Sequence, residues 1–153
     1  MPTTIEDAIH QTRPFVSAKV RASVNLLFTY GWLADRMRTL LKPHGLTHQQ
    51  YNVLRILNGS HPTPLCASEI KQVMLDKSPD VTRLCDRLAA KGLLVRRNNL
   101  ENKREVHTNI TPEGIALIDR VAPAIHSTAG LQHPGLTDKE ANQLSALLDK
   151  MRG

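Results

Sequence analysis

Residues 78–110 read SPDVTRLCDRLAAKGLLVRRNNLENKREVHTNI, and this stretch decides the fold. Its first half has helical periodicity, because apolar residues fall at i, i+3, i+4 and i+7, namely Val81, Leu84, Cys85 and Leu88. Ser78 and Pro79 suit an N-cap and a first helical turn, so we expect this helix to begin there and to end at Gly92. Beyond it, apolar and polar residues alternate around a polar tip at 98–103, which predicts a β-hairpin.

Two shorter helices are predicted before this stretch. Thr47 and Gln50 form a capping-box pattern ahead of an apolar stripe that stops at Gly59. The prolines within residues 61–64 favour a loop, and a third helix opens at Ser68. Three short helices followed at once by a hairpin indicate a winged helix-turn-helix. In that arrangement one helix fits the major groove of DNA, which is about 12 Å wide, and the hairpin tip reaches the flanking backbone.

Longer amphipathic helices are predicted on both sides, at residues 15–41 and within 112–152. The second region has a predicted kink at Pro123 and a capping box at Thr137 and Glu140 ahead of its last apolar stripe. Their apolar stripes are too wide for a small DNA-binding lobe to cover, so we expect them to pack against a second subunit. The predicted fold class is mainly α with a small β-hairpin wing. Its parts are an N-terminal dimerisation helix at 1–45, a winged helix-turn-helix lobe at 46–111 and C-terminal dimerisation helices at 112–153, intertwined as a single domain.

The charge is concentrated in particular parts of the chain. The 153 residues carry a formal net charge of +6, and the excess of bases lies in residues 1–45 and 67–111, whereas residues 112–153 hold more acids than bases. This distribution favours an anionic partner for the first two regions, and charge alone leaves nucleic acid and acidic lipid both open.

Composition excludes several other classes of protein. No apolar run is long enough to span a bilayer, and the N-terminus does not resemble a secretory signal, so we expect a cytoplasmic protein without a membrane partner. Two cysteines are too few for a disulfide scaffold or a four-thiolate zinc site. Neither a catalytic triad nor a glycine-rich phosphate loop is present in the sequence. We therefore expect no enzyme activity, no cofactor and no metal.

The motifs together resemble the MarR-type regulators (multiple antibiotic resistance regulators). The resemblance is carried by residues 46–54 (LTHQQYNVL), 68–70 (SEI), 81–88 (VTRLCDRL), 91–93 (KGL), 96–97 (RR), 102–104 (NKR) and 110–114 (ITPEG). It implies a homodimeric, cytoplasmic transcription factor that binds a palindromic duplex. Such factors are usually repressors, and a small molecule or an oxidant often releases them from DNA.

Three positions depart from the family pattern. The wing usually carries Asp-x-Arg, and here Asn102 replaces the acid, so an ion pair between that acid and Arg104 is absent. The helix that begins at Ser78 is the one expected to enter the major groove, and it is called the reading helix below. Lys77 stands where an acid often begins this helix. Cys66 replaces the usual Ser or Thr cap before Glu69, and a thiol is a weaker hydrogen-bond acceptor than a hydroxyl.

The candidate DNA contacts lie on the reading helix and at the hairpin tip. They are Ser78, Asp80, Thr82, Arg83, Arg87, Lys103 and Arg104. Arginine suits phosphate contact or a bidentate contact with guanine, and an acid at position 80 could accept a hydrogen bond from cytosine. The alternative interpretation is a solvated helix face on which Asp80 neutralises Arg83 and Asp86 neutralises Arg87.

An effector pocket and a redox switch are two further hypotheses. Tyr30, Trp32 and Arg36 could line a ligand pocket between the dimer helices and the DNA lobe, although Trp32 suits a dimer core equally well. A thiol-based sensor of the same fold would use Cys66 rather than Cys85, because Cys85 lies on the buried stripe. A winged-helix module that binds protein instead of DNA is the alternative from another class.

Overall fold

The computed structural model describes residues 3–77 and 79–153, which form seven α-helices and a small three-stranded antiparallel sheet. The helices are α1 (Ile5–Ala8), α2 (Ala18–Leu41), α3 (His48–Ser60), α4 (Ala67–Val73), α5 (Val81–Ala90), α6 (Pro112–Ile125) and α7 (Asp138–Arg152). The strands are β1 (Leu65–Cys66), β2 (Leu94–Asn98) and β3 (Val106–Ile110), and a short 3-10 turn spans Lys42–His44. This order confirms the predicted winged helix-turn-helix flanked by longer helices.

The hydrophobic core lies between α3, α5, α6 and the root of the hairpin. Its fully buried side chains include Leu54, Leu57, Leu88, Leu94 and Ile118. The predicted stripe of α5 is buried along its whole length, which confirms the helical pattern of residues 81–88. Because that stripe faces inward, the opposite face of α5 is exposed to solvent.

The start of α5 differs from the prediction. Asp80 is the N-cap, since its Oδ1 accepts a hydrogen bond of 3.0 Å from the backbone N–H of Arg83, and the helix begins at Val81. The predicted start at Ser78 and Pro79 is therefore wrong, and Ser78 itself lies outside the described residues. Aspartate is as good an N-cap as serine, so the sequence contained two competing start signals.

The sheet contains one strand more than the predicted hairpin. Its order is β1-β3-β2, with Leu65 opposite Thr108 and Arg96 opposite the same residue on the other side. We expected a loop at 61–64 and no strand after it. A strand of two residues is too short to show any periodicity, so only pairing with β3 defines it.

Two glycines connect the hairpin root to its neighbours. Gly92 ends α5 with φ +72°, a left-handed conformation that favours glycine. At Gly114 in α6 a Cβ atom would lie 2.2 Å from the carbonyl oxygen of Leu93. The hydroxyl of Thr111 donates a 2.7 Å hydrogen bond to the carbonyl of Gly92 and accepts one of 3.1 Å from the Gly114 N–H. These contacts hold α6 against the hairpin.

The outer helices carry more exposed apolar surface than the rest of the chain. In α7, which starts with the predicted Thr137 capping box, no residue is buried, and Leu144, Leu147 and Met151 are all exposed.

The bounds of three other helices differ from the prediction or extend it. The long helix α2 begins at Ala18, three residues later than predicted, because Ser17 caps it. The short helix α1 was not predicted, and α6 continues through Pro123 to Ile125.

None of the helices in the described ranges combines the length and the hydropathy needed to cross a bilayer.

Candidate nucleic-acid interface

The exposed face of α5 presents a row of polar and basic side chains. Thr82, Arg83 and Arg87 are exposed on successive turns of this helix. Within the described ranges, neither arginine forms a salt bridge, so the alternative in which Asp80 neutralises Arg83 and Asp86 neutralises Arg87 is not observed. Two guanidinium groups on this face are thus available for an anion.

Asp80 has a local structural role. Its carboxylate accepts the backbone N–H of Arg83 and so satisfies one of the free donors of the first turn. The residue as a whole is exposed. Asp80 is therefore both the N-cap of α5 and a candidate base contact. Because Oδ1 accepts the Arg83 N–H, a contact with DNA would have to use Oδ2 or the second lone pair of Oδ1.

The tip of the hairpin carries the other two candidate bases. Lys103 and Arg104 are exposed, and the backbone turns at Asn102, whose carbonyl accepts the Glu105 N–H at 2.9 Å and whose side chain accepts the Arg104 N–H at 3.3 Å. Asn102 thus shapes the turn and has no charge to pair with Arg104. Below the tip, Asn99 donates a 2.8 Å hydrogen bond to the carboxylate of Glu105 and closes the loop.

An open cleft of about 490 Å³ joins the reading helix to the wing. It brings Thr82 and Arg104 together, although they are 22 positions apart in the sequence. Its other lining residues are Cys66, Ala67, Ser68, Arg96, Asn102, Glu105 and Val106. Arg83, Arg87 and Lys103 are exposed outside it.

Sequence reasoning did not single out Ser68 or assign Arg96 to this cleft. Ser68 lies in the first turn of α4, and Arg96 reaches the cleft from β2. A sequence signal for Arg96 existed in the alternation of the hairpin, which places it on the opposite face from Arg97. No local pattern shows that this face meets α4 and α5.

A second cavity, of about 430 Å³, lies between α2 and the loop after α6. The guanidinium of Arg36 lies over the Trp32 ring, with 4.6 Å from its carbon to the ring centroid, and it donates to the carbonyl of Thr128. The ring of His133 is 5.3 Å from Trp32, centroid to centroid. The cavity is lined by Trp32, Asp35, Arg36, Thr39, Leu40 and Ala129.

Of the predicted pocket residues, Trp32 and Arg36 share this cavity, and Tyr30 is exposed elsewhere on α2. The Nε atom of Arg36 is buried and has no hydrogen-bond partner within the described ranges. A buried donor without a partner carries a free-energy cost that a ligand acceptor would remove. The cavity therefore presents the Trp32 ring beside the Arg36 guanidinium.

Both cysteines are free thiols with buried side chains. Burial raises the pKa of Cys85 to about 11, which leaves almost no thiolate at neutral pH. Cys66 is the N-cap of α4, where its backbone N–H donates to Glu69 at 2.8 Å and its Sγ lies 2.9 Å from the Ser68 hydroxyl. No group of three His, Cys, Asp or Glu side chains in residues 3–77 and 79–153 is arranged to hold a metal ion.

Sequence comparison matches the chain to known transcriptional regulators, and structural comparison matches its fold. Residues 44–105 match the model of the MarR family. The chain is 31% identical over 109 residues to the uncharacterised HTH-type transcriptional regulator YkoM of Bacillus subtilis, covering 71% of this chain and 70% of that protein. It is 27% identical to the homoprotocatechuate degradative operon repressor of Escherichia coli, covering 74% of this chain and 75% of that one.

A solved structure with the same fold is that of BpsR from Bordetella bronchiseptica, described with the regulation of its DNA binding by 6-hydroxynicotinic acid. It superposes with a TM-score of 0.72 at 23% identity and covers 87% of this chain and 99% of that chain. The matched proteins are transcriptional regulators rather than enzymes.

Proposed function

The chain belongs to the MarR family of DNA-binding transcriptional regulators, and from this premise we propose that it is a homodimeric repressor released from a pseudo-palindromic operator by a small aromatic acid. The observation that carries the DNA-binding part is the cleft in which the first turn of α5 meets the basic tip of the wing. A helix that enters the major groove beside a hairpin at the adjacent backbone would use both elements at once.

In the proposed complex, the exposed arginines and the wing tip have different tasks. Arg83 lies in the first turns of α5, so it contacts base edges or the nearest phosphates. Arg87, one turn further on, contacts phosphate. Lys103 and Arg104 reach the minor groove or the flanking phosphates. A bidentate contact between arginine and guanine contributes about 1–3 kcal/mol of discrimination against another base.

The proposed dimer rests on the apolar surface of the outer helices. Val20, Leu27 and Tyr30 of α2 are exposed, as are Leu147 and Met151 of α7. Monomeric soluble proteins rarely leave large apolar patches in water. A second copy covers both helices and places two reading helices about 34 Å apart, one turn of duplex DNA. The expected molar mass is twice 17.0 kDa, and Leu147→Glu should shift sedimentation toward the monomer.

The experiment for DNA binding is selection from a pool of random duplexes at two salt concentrations. Wild-type protein is expected to enrich an inverted repeat and to bind it more weakly at the higher salt, because phosphate contacts release counterions. Arg83→Ala with Arg104→Ala should abolish the enrichment. The matched control is Arg120→Ala, which removes an exposed arginine of α6 outside the cleft. Equal loss in the control, or enrichment that survives the double substitution, would refute the assignment.

The proposed effector occupies the cavity beside Trp32. Its aromatic ring packs beside the Trp32 indole, and its carboxylate pairs with the Arg36 guanidinium that lies over that indole. BpsR, which shares the fold, is regulated by an acid of this chemical type.

Trp32 is the only tryptophan, so its fluorescence reports this cavity alone. Titration with 6-hydroxynicotinate and benzoate should quench it in wild type and not in Arg36→Ala, with the more exposed Arg38→Ala as control. Quenching that persists in Arg36→Ala would show that Arg36 does not hold the acid, and absence of quenching in the wild type would place the acid elsewhere.

A further inference from the structure

One ion pair connects the reading helix to the wing. The Arg96 guanidinium on β2 donates from Nη1 to the Asp86 carboxylate on α5. Of the salt bridges in residues 3–77 and 79–153, it is the one that joins α5 to the hairpin. Among the described residues, the other hydrogen bonds between α5 and the segment that leads into β2 are backbone ones at Gly92 and Leu93.

The two partners differ in exposure, and Arg96 is the more enclosed. Its side chain is 20% exposed, whereas that of Asp86 is 61% exposed. The Nε of Arg96 is buried without a hydrogen-bond partner in the described part of the chain, and its Nη1 is engaged by the Asp86 carboxylate. The neighbouring Arg97 points to the other face of the strand and is exposed. Arg96 is therefore poorly placed to extend to a phosphate.

In residues 3–77 and 79–153, the wing forms no second salt bridge to a neighbouring element. Asn102 stands in the turn and makes only a backbone contact with Arg104, and Asn99 and Glu105 bond to each other within the hairpin. Pairing of β3 with β1 at Thr108 and His107 holds one side of the hairpin, so the orientation of its tip depends on the contact that β2 makes on the other side. The ion pair between Arg96 of β2 and Asp86 of α5 is that contact.

We propose that the Asp86–Arg96 ion pair sets the angle of the wing relative to α5, and that Arg96 is a positioning residue for DNA binding rather than a phosphate contact. The inference rests on the proposed DNA-binding function. In this proposal Asp86, an acid on the DNA-facing side of the molecule, increases the affinity for DNA. Net charge alone would predict that an acid in this position lowers the affinity.

The test compares two acids on the same lobe. Asp86→Asn removes the ion-paired acid, and Glu101→Gln removes an exposed acid of the hairpin tip that forms no salt bridge within the described ranges. Binding to the inverted repeat recovered by selection is measured by fluorescence anisotropy at several salt concentrations. Glu101→Gln should bind as well as wild type or more tightly. Asp86→Asn should bind about threefold to tenfold more weakly, which is within the coupling observed for contacting residues in one ion pair.

Arg96 is examined in the same assay with a readout that a phosphate contact would change. Arg96→Gln should weaken binding as much as Asp86→Asn does, and the double variant should be no weaker than either single one. The slope of log affinity against log salt should stay at the wild-type value, whereas loss of a phosphate contact reduces it by about 1. Arg96→Lys, which keeps the positive partner, should restore most of the affinity.

Circular dichroism and thermal unfolding establish that each variant is folded at the assay temperature. Asp86→Asn binding at or above the wild-type affinity, or an Arg96→Gln slope reduced by about 1, would overturn the inference while leaving the proposed function intact. Failure of the wild-type protein itself to enrich any duplex would instead overturn the proposed function, and this inference with it.

Discussion

Asp80 is the residue whose replacement best separates folding from recognition. It caps α5 through a 3.0 Å hydrogen bond to the Arg83 N–H, and its side chain is exposed, so its removal leaves no cavity. We consider Asp80→Ala, which removes the cap, together with Asp80→Asn, which keeps an acceptor oxygen and removes the charge. Asparagine and aspartate are equally good N-caps.

The magnitude follows from two contributions. Loss of an N-cap costs about 1 kcal/mol, and loss of an acid near a helix N-terminus costs about 0.3–1 kcal/mol more. For Asp80→Ala we expect the free energy of unfolding to fall by about 1–2 kcal/mol. At roughly 2–4 °C per kcal/mol for a chain of this size, Tm should fall by about 2–8 °C. Asp80→Asn should lose only the charge contribution.

The assay is urea and thermal unfolding followed by far-UV circular dichroism. All variants are compared at one protomer concentration, because unfolding of a dimer depends on concentration. If Asp80→Asn were as unstable as Asp80→Ala, the charge rather than the hydrogen bond would carry the effect. If neither variant differed from wild type, the assignment of Asp80 as the cap of α5 would be refuted.

The same pair of variants tests recognition. If Asp80 only caps the helix, Asp80→Asn should bind all duplexes at least as tightly as wild type, because an acid near the phosphates has been removed. If Asp80 also accepts from cytosine N4, discrimination at one base pair should fall by about 1–3 kcal/mol. Selection from random duplexes separates these results, since only the second changes the recovered sequence.

Three further predictions concern stability and reactivity. Gly114→Ala should lower the free energy of unfolding by about 1–3 kcal/mol in a urea titration, because its Cβ would lie 2.2 Å from a backbone oxygen at the hairpin root. The control is Gly59→Ala, whose Cβ would have no neighbour within 4 Å and which should be neutral or stabilising. The hydrogen bond from Arg21 lowers the pKa of Glu6 from 4.5 to about 2. The stabilisation from Glu6 is therefore present above pH 4.5 and lost as pH falls toward 2. In an acid titration, Glu6→Gln should lose less stability over this range than wild type does, and an equal loss would contradict the prediction. Burial raises the pKa of Cys85 to about 11, so this thiol should resist iodoacetamide at neutral pH until urea unfolds the protein. Mass spectrometry measures the labelling, and rapid labelling of the folded protein would mean that the side chain is accessible.

The sequence predicted those features that depend on neighbours within a few positions. The buried stripe of α5 and the caps at Thr47 and Thr137 follow from spacing and local hydrogen bonding. The same locality explains the error at the start of α5, where Ser78 and Asp80 were both acceptable caps. The candidate contacts with DNA remain predictions, and the structure adds where their side chains lie relative to one another.

The sequence by itself determined the order of helices and hairpin, because helical and strand periods are properties of a continuous segment. The tertiary structure alone decided which distant residues meet. Arg36 contacts Thr128 across 92 positions, Leu65 and Cys66 become a strand only by pairing with β3, and Asp86 takes Arg96 as its partner rather than the adjacent Arg87. Such contacts depend on how packed elements face one another, and that geometry is set by the folded core rather than by any local pattern in the chain.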